Sequence, residues 1–177
     1  PFQPFQLVLE VGYRIDALTA LMTSMVTVVG SLIFVFASGY MEARQCARFY
    51  LFLSLFAASM LNLLIADNLF QVFACWELVG VCSFFLIGFY TERKSAGTAA
   101  NKAFIMNRVG DAGFLIALCI AFTQFGNFNI QDLIHAFPGG RTEAISQEMW
   151  ILMGLGLFLG CAGKSAQIPL QTWLPDA

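Results

Sequence analysis

From Ala17 to Ser38 the chain carries no charged side chain, and from Asn68 to Tyr90 it carries one, Glu77. A run of about 20 apolar residues spans a hydrocarbon layer about 30 Å thick as a helix. Nothing but a helix or a closed barrel can satisfy its own backbone there. Comparable runs recur at Phe49 to Ala66, at Asn101 to Phe125 and from Met149 onward. The chain therefore reads as an all-α, polytopic membrane helix bundle of about five spans. The overall balance agrees: 59% of residues are hydrophobic and 11% charged, whereas soluble domains carry about a quarter charged.

The first 16 residues read as an extramembrane segment, with a short strand where apolar residues alternate between Phe5 and Asp16. Residues 17–177 form the transmembrane domain. A polar turn from Gly39 to Arg48 separates the first two spans, and a loop from Thr91 to Ala100 follows the third. Asp67 and Asn68 make so short a connection that the second and third spans must be antiparallel neighbours. Gly126 to Glu148 is an acidic exposed connection with room for a surface helical turn. The last span is discontinuous, since Pro169 removes a backbone donor and disfavours helix at Ile168, and Gly160 and Gly163 loosen the turn before it. Paired basic residues in the Gly39 to Arg48 and Thr91 to Ala100 loops place that side in the cytoplasm or matrix. A chain running from Pro1 to Ala177 without a basic leader reads as an internal piece of a larger protein rather than as one with a signal peptide.

Several readings fall away. With a net charge of −2 and scattered basic residues, there is no patch for nucleic acid. Cys46, Cys75, Cys82, Cys119 and Cys161 have no metal spacing and read as small buried hydrophobes. His135 lies in the polar connection without a second ligand, so no metal site is expected. Gly163, Lys164 and Ser165 imitate the end of a P-loop, but the motif requires glycine where Phe158 stands.

What remains is a set of ionisable residues at membrane depth. At about 1.5 Å of rise per residue, Glu77 lies about 13 Å into its span, where a carboxylate needs a partner, a watery cavity or a proton. It reads as a protonatable relay group, or as one half of a structural ion pair. Ala74, Gly80 and Gly88 on that helix let a neighbour approach closely. Arg108 and Asp111 are about 60° apart on one helix and can pair, in a relay or simply to hold structure. Lys102, about 180° from Asp111, must face another neighbour or snorkel to the surface. Lys164 stands beside the helix break, and such breaks line ion pathways in transporters. A lysine desolvated there can pass a proton on.

Three segments then carry a resemblance: Trp76 to Tyr90 (WELVGVCSFFLIGFY), Lys102 to Asp111 (KAFIMNRVGD) and Gly163 to Ala177 (GKSAQIPLQTWLPDA). Together they resemble the antiporter-like subunit 5 of respiratory complex I, called subunit L in bacteria. The resemblance covers nearly the whole chain. It implies an antiporter-like inverted-repeat fold and a proton-translocating membrane subunit of an NADH:quinone oxidoreductase. Glu77 and Lys164 match the family's central pumping pair, with Arg108, Asp111 and Lys102 in support. NADH, FMN, iron-sulfur clusters and quinone would belong to other subunits of the complex, with no cofactor in this chain. The implied partners are the other membrane-arm subunits, the lipid bilayer and protons. The implied location is an energy-transducing membrane, the bacterial inner membrane first, with the mitochondrial inner membrane or thylakoid as alternatives. Relative to the family, the chain would lack the first two spans, the helix after the break and the second antiporter half, and so would not pump alone. Subunits of multi-subunit cation (Na+)/proton antiporters share these spans and supply the competing reading.

Overall fold

The computed structural model describes residues 11–42, 45–136 and 146–177. Among them the chain is helical: α1 (Ala17–Tyr40), α2 (Cys46–Ile65), α3 (Leu69–Ile87), α4 (Lys94–Phe125), the short α5 (Ile130–Ala136) and α6 (Gln147–Lys164), followed by a 3-10 helix at Gln171–Asp176. Helices α1 to α4 are each long and apolar enough to cross a membrane. Helix α6 begins with Gln147 and Glu148 and ends at Lys164, so its polar residues stand at its two ends.

Local chemistry marks the ends of these helices. The Asp16 carboxylate accepts from the backbone N–H of Thr19 at 2.8 Å and from its hydroxyl at 3.0 Å, capping α1. Asn68 does the same for α3, accepting from the Gln71 N–H at 2.8 Å. Gly126, with φ 72°, ends α4 in the left-handed conformation that glycine adopts without strain. In α1 the hydroxyls of Ser24, Thr27 and Ser31 donate to the carbonyls of Ala20, Thr23 and Thr27. Polar side chains on an apolar helix thereby need no external partner.

Packing is concentrated on one side of the bundle. Helices α4 and α6 make the most extensive contact, followed by α2 with α3 and α3 with α4. Helix α1 touches α2 lightly and buries only Ala37. The α4–α6 seam is built from glycines: a Cβ on Gly156 would lie 2.5 Å from the Gly113 carbonyl oxygen, and one on Gly110 would lie 2.9 Å from that of Leu159. Small residues permit this backbone approach, which supplies the dispersion contact that holds helices together where water gives no hydrophobic drive. Ala117, Ile120, Ala121, Leu133 and Met153 fill the buried cluster at the end of the seam.

Several expectations require correction. Most of the proposed strand lies outside the described residues; from 11 to 16 there is only an isolated bridge between Tyr13 and Ala66, with the Arg14 N–H donating to the Ile65 carbonyl at 2.8 Å. The loop from Thr91 to Ala100 is mostly helix, because α4 begins at Lys94 and buries Ala99, Ala100 and Ala103 against the bundle. Alanines favour helix, and their small side chains fit the crowded face. The discontinuity after α6 begins before Pro169. The Gln167 N–H reaches the Ala162 carbonyl at 2.9 Å and the Ala166 N–H reaches that of Gly163 at 3.3 Å, with Ala166 at φ 52°. This is a Schellman cap with alanine in the place glycine usually takes. Gly160 and Gly163 do not loosen the helix: they seat it against Phe114 and Gly110. Near the start of α2 the Arg48 guanidinium donates to the carbonyl of Phe89, just past the end of α3, at 2.7 Å and stacks on the Phe89 ring.

Candidate functional site

Three helices bring their ionisable residues to one place. Helix α3 supplies Trp76, Glu77 and Gly80; α4 supplies Arg108 and Asp111; α6 supplies Lys164 at its last residue. The position of Lys164 follows from the cap that ends α6. It stands in the final turn, where the unsatisfied carbonyls favour a cation.

The charges form a chain. Arg108 is ion-paired and hydrogen-bonded to Glu77. Its guanidinium also lies 4.0 Å from Asp111 Oδ2, and Lys164 Nζ approaches the same oxygen at 3.9 Å. The other Asp111 oxygen accepts a hydrogen bond from the Trp76 indole N–H at 2.8 Å. Asp111 is 4% exposed, so this carboxylate is withdrawn from solvent. Two carboxylates and two cations make the cluster formally neutral, which lets it persist in surroundings of low dielectric.

Contacts around the cations complete the site. Arg108 stacks over the Phe104 ring at 4.6 Å, and Lys164 Nζ lies 5.9 Å from the centre of the Trp76 ring. Lys164 Nζ is buried and makes no hydrogen bond among the described residues. Its space on α3 exists because residue 80 is glycine: a Cβ there would lie 2.5 Å from Nζ.

The placement of the expected residues differs in detail from the sequence reading. Glu77, Arg108, Asp111 and Lys164 do converge, and the Arg108 to Asp111 approach along α4 is present. Glu77 and Lys164 are not within ion-pair distance; Arg108 and Asp111 stand between them. Lys102 belongs elsewhere, pairing with Asp176 of the 3-10 helix at 2.6 Å on an exposed edge. That agrees with its turning away from Asp111, and it separates Lys102 from the buried chain. Sequence reasoning overlooked Trp76 and Asn107. Trp76 could have been found from its i, i+4 relation to Gly80. Asn107, one turn before Asp111, buries a side-chain oxygen without a hydrogen bond among the described residues, and nothing in its sequence setting marks it. His135 lies in the last turn of α5, and among the described residues no three His, Cys, Asp or Glu side chains gather as a metal site would require.

The fold is thus a bundle of helices long and apolar enough to cross a membrane, holding a formally neutral chain of titratable groups in which Asp111 is buried and Glu77, Arg108 and Lys164 are partly exposed. Comparison with known proteins places it further. Residues 66–177 match the family described as NADH:quinone oxidoreductase/Mrp antiporter, transmembrane, and residues 2–50 match the one described as NADH-ubiquinone oxidoreductase (complex I), chain 5 N-terminus. The chain belongs to the NADH:quinone oxidoreductase/Mrp antiporter membrane family.

Among its relatives is the chloroplastic NAD(P)H-quinone oxidoreductase subunit 5 of Anthoceros angustus, 45% identical over 97% of this chain and 24% of the relative. NAD(P)H-quinone oxidoreductase chain 5 of Synechocystis sp. is 45% identical over 96% of this chain and 25% of the relative. The chain thus spans about a quarter of the length of these relatives. In a solved structure of the Mrp complex from Dietzia sp., one chain superimposes with a TM-score of 0.81 at 25% identity, covering 93% of this chain and 18% of that one.

Proposed function

We propose that this chain is part of the proton-translocating membrane subunit of an NAD(P)H:quinone oxidoreductase, and that Glu77, Arg108, Asp111 and Lys164 are its proton relay. The observation that carries this reading is the continuous chain of charges from α3 through α4 to α6. Protonation of Glu77 would remove the partner of Arg108. The guanidinium, already 4.0 Å from Asp111, could then close on that carboxylate. Lys164 shares the same oxygen at 3.9 Å, so a nearer Arg108 competes with it and frees Lys164 to give up its proton to water or the next acceptor. Charging Glu77 again reverses the sequence. Each step moves one proton and leaves the cluster neutral or one charge from it.

In this reading residues 17–177 belong to the translocating domain and the first 16 to a segment outside the membrane. Electron transfer from NADH through FMN and iron-sulfur clusters to quinone takes place in partner subunits, and Lys102 has at most a supporting role at the rim. The membrane is an energy-transducing one. The bacterial inner membrane and the thylakoid both suit it, the second because relatives come from chloroplasts and cyanobacteria.

The test is the proton to electron ratio of the assembled complex carrying Glu77→Gln or Lys164→Ala in the full-length subunit. Loss of translocation with the redox arm intact is expected; normal pumping by both correctly assembled variants would rule the relay out. The shared family and the likeness to an Mrp complex chain keep one alternative, a subunit of a cation/proton antiporter. Proton movement that requires a Na+ gradient and no electron donor would favour it.

A further inference from the structure

Lys164 meets its counterion on α4 loosely and fits closely against α3. Asp111 stands 3.9 Å away, beyond hydrogen-bond length, and among the described residues the buried ammonium makes no hydrogen bond. Trp76 and Gly80 are one helical turn apart and so present one face of α3. Trp76 acts on both members of the pair: its N–H holds one Asp111 oxygen at 2.8 Å, and its ring lies 5.9 Å from the ammonium. With that oxygen occupied, Arg108 and Lys164 are left to share the other. Gly80 provides the gap into which the Lys164 amine fits, because a Cβ there would come within 2.5 Å of Nζ and meet nothing else but the adjoining Lys164 carbon.

We propose that Trp76 and Gly80 form a cradle that positions Lys164 against Asp111, and that proton exchange at Lys164 depends on both. They are positioning residues: neither carries the proton, and each acts through a group that does. The inference rests on the proton-relay reading above. The charged groups that act on Lys164 are Asp111 and Arg108, both from α4; Glu77 of α3 acts through Arg108.

The two residues can be altered without touching a charge. Gly80→Ala fills the gap, and since among the described residues the obstacle is the end of a flexible side chain, the helix has no reason to unfold. Trp76→Phe keeps an aromatic ring and removes the N–H. Both would be made in the full-length subunit of the assembled complex, beside Lys164→Ala. Proton translocation and electron transfer would be followed across pH, and the structure of the Gly80→Ala complex determined. A displaced amine in that structure, with translocation reduced about ten-fold in both variants and its pH profile moved, supports the cradle; misplacement by an ångström is enough for a loss of this order. A loss without movement of the profile would be a packing defect and would overturn it. If Lys164→Ala stops translocation while Gly80→Ala and Trp76→Phe keep the normal rate and profile, the cradle is wrong and the relay stands. If Lys164→Ala itself pumps normally, both are wrong.

Discussion

Two lysine–aspartate pairs join α4 to the stretch from Lys164 to Asp176 and differ in almost everything except composition. Lys102 and Asp176 approach to 2.6 Å with side chains 41% and 50% exposed; Lys164 and Asp111 remain 3.9 Å apart with side chains 17% and 5% exposed. By distance the first pair is the better salt bridge. Removing one partner reverses the order, because water screens an exposed pair to a few tenths of a kcal/mol, whereas a buried charge stripped of its partner costs about 3 to 5 kcal/mol. The looser pair is also the adjustable one. Asp111 has spare geometry toward both Arg108 and Lys164, which a relay requires and a fixed bridge does not.

That contrast can be broken at the seam beneath the buried pair. Gly156→Ala should cost about 1 to 3 kcal/mol, since its Cβ would press on the Gly113 carbonyl, and backbone cannot step aside as a side chain can. The check is thermal unfolding of the assembled complex in detergent, with a lowered midpoint expected. Translocation should fall with it as α6 shifts and carries Lys164 away from Asp111.

The cap behind Lys164 sharpens the comparison in the opposite sense. Ala166 holds a left-handed φ of 52°, a conformation that costs a residue with a Cβ about 1 kcal/mol. Ala166→Gly should raise stability by about that amount, less the extra chain entropy of glycine, with proton translocation unchanged. A denaturant series comparing variant and parent would measure it.

The smallest effect is expected at the exposed pair. Lys102→Ala should change stability by no more than about 0.5 kcal/mol, and less still at high salt, while the proton to electron ratio stays at the parental value. A large loss of pumping in that variant would mean that the rim takes part in the path.

The contrast between the pairs also marks how far the sequence could be read. Long apolar runs, free of charge from Ala17 to Ser38 and from Phe49 to Ala66 and carrying only a few charges in α3 and α4, identified the helices α1 to α4, and four ionisable residues in apolar surroundings identified the members of the cluster. Helical phase excluded Lys102 from pairing with Asp111, and the structure agrees. Which residues meet was another matter. The rotation of α6 against α4 is set by Gly110, Gly113, Gly156 and Gly163 meeting backbone to backbone, and such spacing in sequence tells closeness but not register. The partnership of Lys102 with Asp176 depends on the turn after α6, whose geometry comes from a cap with Ala166, not glycine, at its left-handed position. Trp76 escaped because an aromatic in an apolar run is ordinarily core packing; only the position of its N–H against Asp111 distinguishes it. The start of α4 was missed for a simpler reason, since Lys94 to Ala100 is polar at intervals and small elsewhere, which reads as a loop until the buried alanines are seen.

The most direct measurement sets the two aspartates side by side. In the full-length subunit of the assembled complex, Asp111→Asn and Asp176→Asn each remove one carboxylate charge and leave nearly the same volume. The proton to electron ratio of reconstituted vesicles should fall sharply for Asp111→Asn and remain parental for Asp176→Asn. Equal ratios in the two variants, or loss confined to Asp176→Asn, would contradict the claim that the chain of charges from Glu77 to Lys164 carries the proton.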